Sequence, residues 1–166
     1  MQIRDATDAD WPSIYPIFRD IVEAGQTYAY PEGMSLEQAH DLWMADHVVV
    51  ATEDGLILGS AKMGPNRPGR GAHIATASFM VDPTTQGRGV GWALGNYLVE
   101  WAGKAGFHGI QFNAVVETNA PAVHLWQALG FTIIGTVPEA FDHREHGLVG
   151  LHVMYRPLAE QSMIGS

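Results

Sequence analysis

Met80-Val81-Asp82-Pro83-Thr84-Thr85-Gln86-Gly87-Arg88-Gly89-Val90-Gly91 opens as a strand and closes as the first turn of a helix, with glycine at alternate positions of its last five residues. The apolar run ending at Val81 is halted by Asp82-Pro83, because proline has no N–H for a ladder and drives its predecessor away from helical geometry. Downstream, Val90, Leu94, Tyr97, Leu98, Trp101 and Ala105 recur at helical spacing until Gly106 stops them. Glycines at the join let the backbone come close to a ligand and aim the first free N–H groups of the helix at one point, where the helix dipole adds roughly half a positive charge. An anion such as a pyrophosphate fits there without a basic side chain, although Arg88 stands ready to add one. A turn that merely joins strand to helix has the same composition. A dinucleotide G-x-G-x-x-G fingerprint needs its third glycine at Trp92 or Leu94 and an acid about 20 residues on, and a Walker A loop needs Gly-Lys-Ser/Thr; none of these is present.

Working outward, residues 2–6 read as a short strand, and Thr7-x-x-Asp10 as a capping box ahead of Ile14, Ile17, Phe18, Ile21 and Val22 at helical spacing. Gly25 ends that helix, and Gln26 to Gly33 is an irregular loop carrying Tyr28 and Tyr30. Ser35-x-x-Gln38 opens a second, short helix. The valine-rich run His47–Thr52, the turn Asp54-Gly55 and Leu56–Met63 make a hairpin. Gly64 to Gly71 reads as a loop, and His73–Val81 as the next strand. Beyond the long helix, His108–Val116 is strand-like, Asn119 caps a helix with Ala122, Leu125, Trp126 and Leu129, and Gly130 suits a left-handed cap. Phe131–Val137 and Leu148–Tyr155 are the last strands, with a charged loop between them. The order β-α-α-β-β-β-α-β-α-β-β predicts a mixed α/β sheet with helices on both faces, one domain over residues 1–157 and a tail at 158–166.

Composition narrows the function. Of 166 residues, 46% are apolar and 16% charged, enough for a single core. No cysteine occurs, so disulfides, thiolate nucleophiles and cysteine zinc sites are excluded. A net charge of −9 without a basic tract argues against nucleic acid and anionic membranes as partners. No signal core or apolar span is visible, which predicts a cytoplasmic protein.

Gln86-x-x-Gly89-x-Gly91 behind a strand resembles the Q/R-x-x-G-x-G/A signature of the GNAT N-acyltransferases, and Asn119-x-x-Ala122-x-x-Leu125-Trp126-x-x-Leu129-Gly130-Phe131 is similar to that family's later helix. The resemblance spans the chain and implies a mostly antiparallel central sheet of about seven strands, splayed between the fourth and fifth. It implies acetyl-CoA as cosubstrate, with no metal. The pyrophosphate would lie on the amides of Gln86, Gly87, Arg88, Gly89, Val90 and Gly91, the pantetheine arm along Phe79, Met80 and Val81, and Asn119 and Trp126 beside it. Asn119 is equally readable as a plain helix cap. Trp126 stands where many members carry a tyrosine that protonates the leaving thiolate, and an indole N–H is no such acid.

An attacking amine must lose a proton, so candidate bases are Glu117, at the end of a strand, and His73, at the start of one; a solvated carboxylate and a structural histidine are the alternatives. His143-x-x-His146 has metal-ligand character but lacks a third strong ligand and reads as polar loop. Within the family, Thr27-Tyr28-Ala29-Tyr30-Pro31, Phe112-Asn113 and Thr118-Asn119 are similar to fungal enzymes that acetylate toxic proline analogues such as azetidine-2-carboxylate. In those enzymes asparagines help hold the substrate; Asn113 and Asn119 match two of them and Thr76 stands where a third is expected, so the likeness implies a small-molecule amine acceptor at Asn113 and Thr76, with Tyr28 and Tyr30 either walling the acceptor cleft as in the family or packing as ordinary aromatics. An Asn113 buried in its strand must be bonded, and exposed strand edges near the C-terminus, where family members often pair, lead to the expectation of a homodimer. A catalytically silent acyl-CoA sensor and a purely structural subunit are the competing classes.

Overall fold

A computed structural model describes residues 1–85 and 87–159. Seven strands form one sheet in the order β1-β2-β3-β4-β5-β7-β6. In chain order the elements are β1 (Gln2–Asp5), α1 (Trp11–Ala24), α2 (Leu36–Trp43), β2 (His47–Glu53), β3 (Leu56–Pro65), β4 (Ile74–Val81), α3 (Val90–Lys104), β5 (Gly109–Val116), α4 (Ala120–Ala128), β6 (Thr132–His143) and β7 (Gly147–Pro157). The sequence predicts this succession of types, and every neighbouring pair is antiparallel except β4 and β5.

Local chemistry sets the helix starts. Asp10 turns back to the Thr7 N–H at 2.8 Å, and Ser35 and Gln38 exchange side-chain bonds with each other's backbone, so both capping boxes close. Gly25, at φ +66°, takes the left-handed turn that ends α1.

Alternation along the strands divides the core between two faces. Val49 and Ala51 of β2 join Ala61, Phe79, Leu94, Leu98, Ile110 and Phe112 beneath α3 and α4. Val48 and Val50 join Trp11, Ile14, Phe18, Trp43 and Met80 beneath α1 and α2. Trp43 is fully buried, and its indole N–H is satisfied by Ser60 Oγ at 3.0 Å, which in turn donates to the Val49 carbonyl at 2.9 Å.

Two loops expected from sequence are partly strand. β3 runs on through Gly64 and Pro65, because the β3–β4 phase gives Pro65 a position opposite Ala75 where no ladder N–H is required. β6 likewise continues to His143: the charged stretch after Val137 is a bulge, with Glu139 at φ +56°, after which pairing resumes at Phe141↔Val149. Just past the end of β7, the Leu158 N–H donates to the His108 carbonyl at 3.0 Å.

Candidate active site

β4 and β5 are paired only at Ile74↔Gly109 and Ala75↔Ile110. Beyond that seam they part, which is the expected splay. Bonds from Asn66 N–H to the Ile74 carbonyl (2.7 Å) and from Asp82 N–H to the Leu58 carbonyl (2.8 Å) fix the phase of β4 against β3. Even-numbered residues of β4 therefore spend their backbone groups on β3, and those of Ala77, Phe79 and Val81 face the gap.

The gap opens toward the start of α3. Gly89 is the N-cap at φ +77°, and Gly87 has φ +84°. A Cβ on either would meet nothing within 4 Å, so the two glycines line an open cradle beside free helix N–H groups. Gly91 has another purpose: a Cβ there would stand 3.1 Å from Leu125, so it lets α3 and α4 approach. Val90 is buried core. Arg88 is exposed and 3.8 Å from Glu53, an ion pair beside the cradle. Gln86 lies outside the described residues.

Aromatic rings floor the gap. Trp126 is buried with its ring 4.6 Å from Phe79 and 4.8 Å from Phe112, and Phe112 stacks on Phe131 at 4.3 Å. Trp126 thus wedges β4 and β5 from the α3–α4 side. The Asn119 Oδ1 accepts the Ala122 N–H at 3.4 Å, so Asn119 caps α4 at the gap's wide end. Met80 points to the opposite face, into the α1–α2 core.

On that opposite face Tyr28 and Tyr30 form a wall. Their rings stack at 5.6 Å, and Tyr30 stacks on Phe18 at 5.6 Å. The Tyr28 hydroxyl donates to the Phe79 carbonyl at 2.6 Å and accepts the Phe79 N–H at 2.7 Å. Enclosure of that hydroxyl raises its pKa, opposed by the Phe79 N–H, so it is a neutral phenol. Burial also raises Tyr30, opposed by a hydrogen bond with Ser78.

Thr76 shares this face, half-buried. Asn113 is exposed, contrary to the burial expected of it: it alternates with the buried Phe112 and so falls on the opposite face, beside Gln111. It is bonded all the same: Gln111 Nε2 donates to Asn113 Oδ1 at 2.9 Å, and Asn113 Nδ2 donates to Asn66 Oδ1 at 2.7 Å. Asn66 and Gln111 carry no motif and were not among the expected residues; only the cross-strand register brings them together.

The two candidate bases are at opposite ends. Glu117 follows β5 at the wide mouth, where its Oε1 accepts the Gly150 N–H at 2.7 Å. His73 precedes β4 at the closed seam, with its ring 6.1 Å from that of His108, so the fold does not bring it to the gap's mouth. His143 is buried and its Nδ1 accepts the N–H groups of Glu145 and His146, both at 3.1 Å, which makes it a turn-forming residue. Among the described residues no cluster of three metal-ligating side chains occurs. The tip of this β6–β7 hairpin meets the Tyr28 loop: Arg144 N–H donates to the Gly25 carbonyl at 2.9 Å, Arg144 pairs with Glu32, and Gln26 donates to Glu145 at 3.2 Å.

A sheet that splits between its parallel strands in front of a glycine-lined helix start is matched at the level of sequence by the model of the Acetyltransferase (GNAT) family, over residues 11–131. The chain belongs to the GNAT acetyltransferase family. As a GNAT enzyme it is similar to a GCN5-related N-acetyltransferase structure from Kribbella flavida, with 61% identity, a TM-score of 0.92 and coverage of 95% of this chain and 97% of that one. A GNAT phosphinothricin acetyltransferase from Sinorhizobium meliloti, solved in complex with AcCoA, is 25% identical with a TM-score of 0.84, covering 97% and 90%. The L-methionine sulfoximine/L-methionine sulfone acetyltransferase of Pseudomonas aeruginosa is 32% identical over 146 residues, 82% of this chain and 83% of its own. No helix among the described residues is long and apolar enough to cross a membrane.

Proposed function

We propose that this GNAT chain transfers the acetyl group of acetyl-CoA to the amine of a small amino acid or amino-acid analogue, by direct attack while both substrates are bound. The observation that carries the reading is the gap between β4 and β5 opening onto the cradle at Gly87 and Gly89. Free amides and the α3 dipole there suit a pyrophosphate even in a chain of net charge −9. The open edge of β4 suits an extended amide-bearing arm, in the manner of an added strand. The AcCoA complex of the Sinorhizobium relative supports the donor, and the named substrates of the Sinorhizobium and Pseudomonas relatives support the acceptor class.

The chain's residues divide the work by position. Gly87 and Gly89 admit the donor's anionic end, and Ala77 and Val81 offer backbone groups to its arm. Trp126, Phe79 and Phe112 exclude water beneath it. Tyr28, Tyr30, Thr76 and the Gln111–Asn113–Asn66 amides bound the acceptor side. Glu117, at the wide mouth, is the group we assign to take the amine's proton. Acetyl-CoA supplies the activated acyl group, and its thiol, with a pKa near roughly 8.5, leaves tolerably without a tyrosine at position 126.

Calorimetric titration with acetyl-CoA, followed by thiol release against a panel containing azetidine-2-carboxylate, methionine sulfoximine and phosphinothricin, tests the reading. Binding with release supports it. Binding without release across the panel replaces it with an acyl-CoA sensor, the reading Trp126 favours; absence of binding sinks both.

A further inference from the structure

We infer that Tyr28 is a built-in occupant of the donor's place on β4, and that its release sets donor affinity and ties donor entry to the shape of the acceptor wall. The inference rests on the proposed function, since it takes acetyl-CoA as the ligand of the β4 edge. One hydroxyl serves both backbone groups of one residue, donating to the Phe79 carbonyl at 2.6 Å and accepting the Phe79 N–H at 2.7 Å. Two amides of an extended chain lying on that edge make the same two bonds between them, one donating its N–H to the carbonyl and the other accepting the N–H at its oxygen. By register Phe79 is the middle of the three β4 residues that face the gap, flanked by Ala77 and Val81, so an arm running along the edge from the α3 cradle meets the hydroxyl in its path.

The backbone of Tyr28 shows that this occupancy is imposed. Its φ is +58°, a left-handed conformation that a bulky side chain seldom adopts and that the surroundings must enforce. Those surroundings are the face-to-face stack on Tyr30 and the tie of the same loop to the β6–β7 tip through Gly25, Gln26 and Glu32. Displacing the hydroxyl relaxes the strained residue and shifts the stacked pair that walls the acceptor side. Donor binding and acceptor-site shape thus become one equilibrium.

Tyr28→Phe keeps the stacked ring and removes both bonds. The empty variant should melt below wild type, yet bind acetyl-CoA about tenfold more tightly, a change of ~1.4 kcal/mol. The KM for the acceptor should rise in the same variant, because the wall is no longer held. A purely structural tyrosine lowers melting temperature and leaves affinity unchanged or weaker, and that result overturns the inference. 3-Fluorotyrosine placed at position 28 of the otherwise unaltered protein gives a second readout. Its fluorine resonance should move when desacetyl-CoA saturates the protein; a resonance unmoved at saturation also overturns it. If wild type binds no acetyl-CoA but Tyr28→Phe does, the latch stands and the proposed function of the natural chain falls. If neither binds, both fall.

Discussion

Replacing Gly89 by alanine and by glutamate separates the backbone's role from the cradle's. At φ +77° either side chain suffers left-handed strain of about 1–2 kcal/mol. In a chain of this size that lowers the melting temperature by roughly 2–4 °C per kcal/mol. No steric term is added in the empty protein, since a Cβ at Gly89 meets nothing within 4 Å. The glutamate carboxylate then sits at the positive end of α3, which returns about 0.3–1 kcal/mol. Gly89→Glu should therefore melt at or above Gly89→Ala. Acetyl-CoA binding should order them oppositely: one like-charge pair about 4 Å apart at an effective dielectric near 20 costs ~4 kcal/mol, roughly a thousandfold in Kd. Because the added term is electrostatic, the gap between the variants should narrow as salt rises. Differential scanning calorimetry and titration on the same samples measure both orders. Affinities that agree within about threefold, under one kcal/mol, refute the assignment of the cradle to an anion.

Gly59→Ala should destabilise the sheet, because its Cβ would stand 2.8 Å from the Met80 backbone carbonyl and 2.9 Å from Val90; a loss of about 1–3 kcal/mol is expected in urea melts. Trp126→Ala should cost about 3–5 kcal/mol by removing the ring wedged between Phe79 and Phe112, also read by urea melts. Asp10 is held at a pKa of about 2, first by its hydrogen bond from Arg4. A lowered carboxylate stabilises the fold above its unfolded value near ~4 and loses that contribution as pH falls toward about 2. Arg4→Ala should therefore flatten the acid limb of the stability curve between those values. Arg144→Ala should raise the acceptor KM more than the acetyl-CoA KM in steady-state assays, because it removes the β6–β7 tip's ion pair with Glu32 of the Tyr28 loop and leaves Gly87 and Gly89 untouched.

Much of the fold is legible because its signals are local. Two capping boxes, the Asp54-Gly55 turn and the glycine stops each depend on residues a few positions apart, and each forms as read. What escaped the sequence depends on partners far along the chain. Pro65 reads as a breaker until the phase of β3 against β4 shows that its missing N–H is not required. The charge of residues 139–145 hides a strand because a bulge at Glu139 interrupts its alternation. Similarly, the cradle at Gly87–Gly91 is a contiguous motif, whereas the Gln111–Asn113–Asn66 amides unite residues 47 positions apart. Asn113 itself was expected to be buried; it falls on the face opposite Phe112, and nothing in Phe112-Asn113-Ala114-Val115 tells that this face is left open.

Two paired positions join β4 to β5, and they also divide the chain: everything up to Val81 builds one side of the sheet, and everything from Gly109 the other. The backbone crosses between the two sides once, through α3. The ladder between the two sides is narrow, but the core beneath α3 that Val49, Phe79, Ile110 and Phe112 share bridges it, so native-state amide exchange tests whether the two sides open as separate cooperative units. Ile110 and Met154, on the β5–β7 side, should then exchange at a free energy different from Val49 and Val50, on the β2–β3 side. A bound donor spanning the boundary should bring the two values together, so that the substrate serves as the mortar of its own binding site.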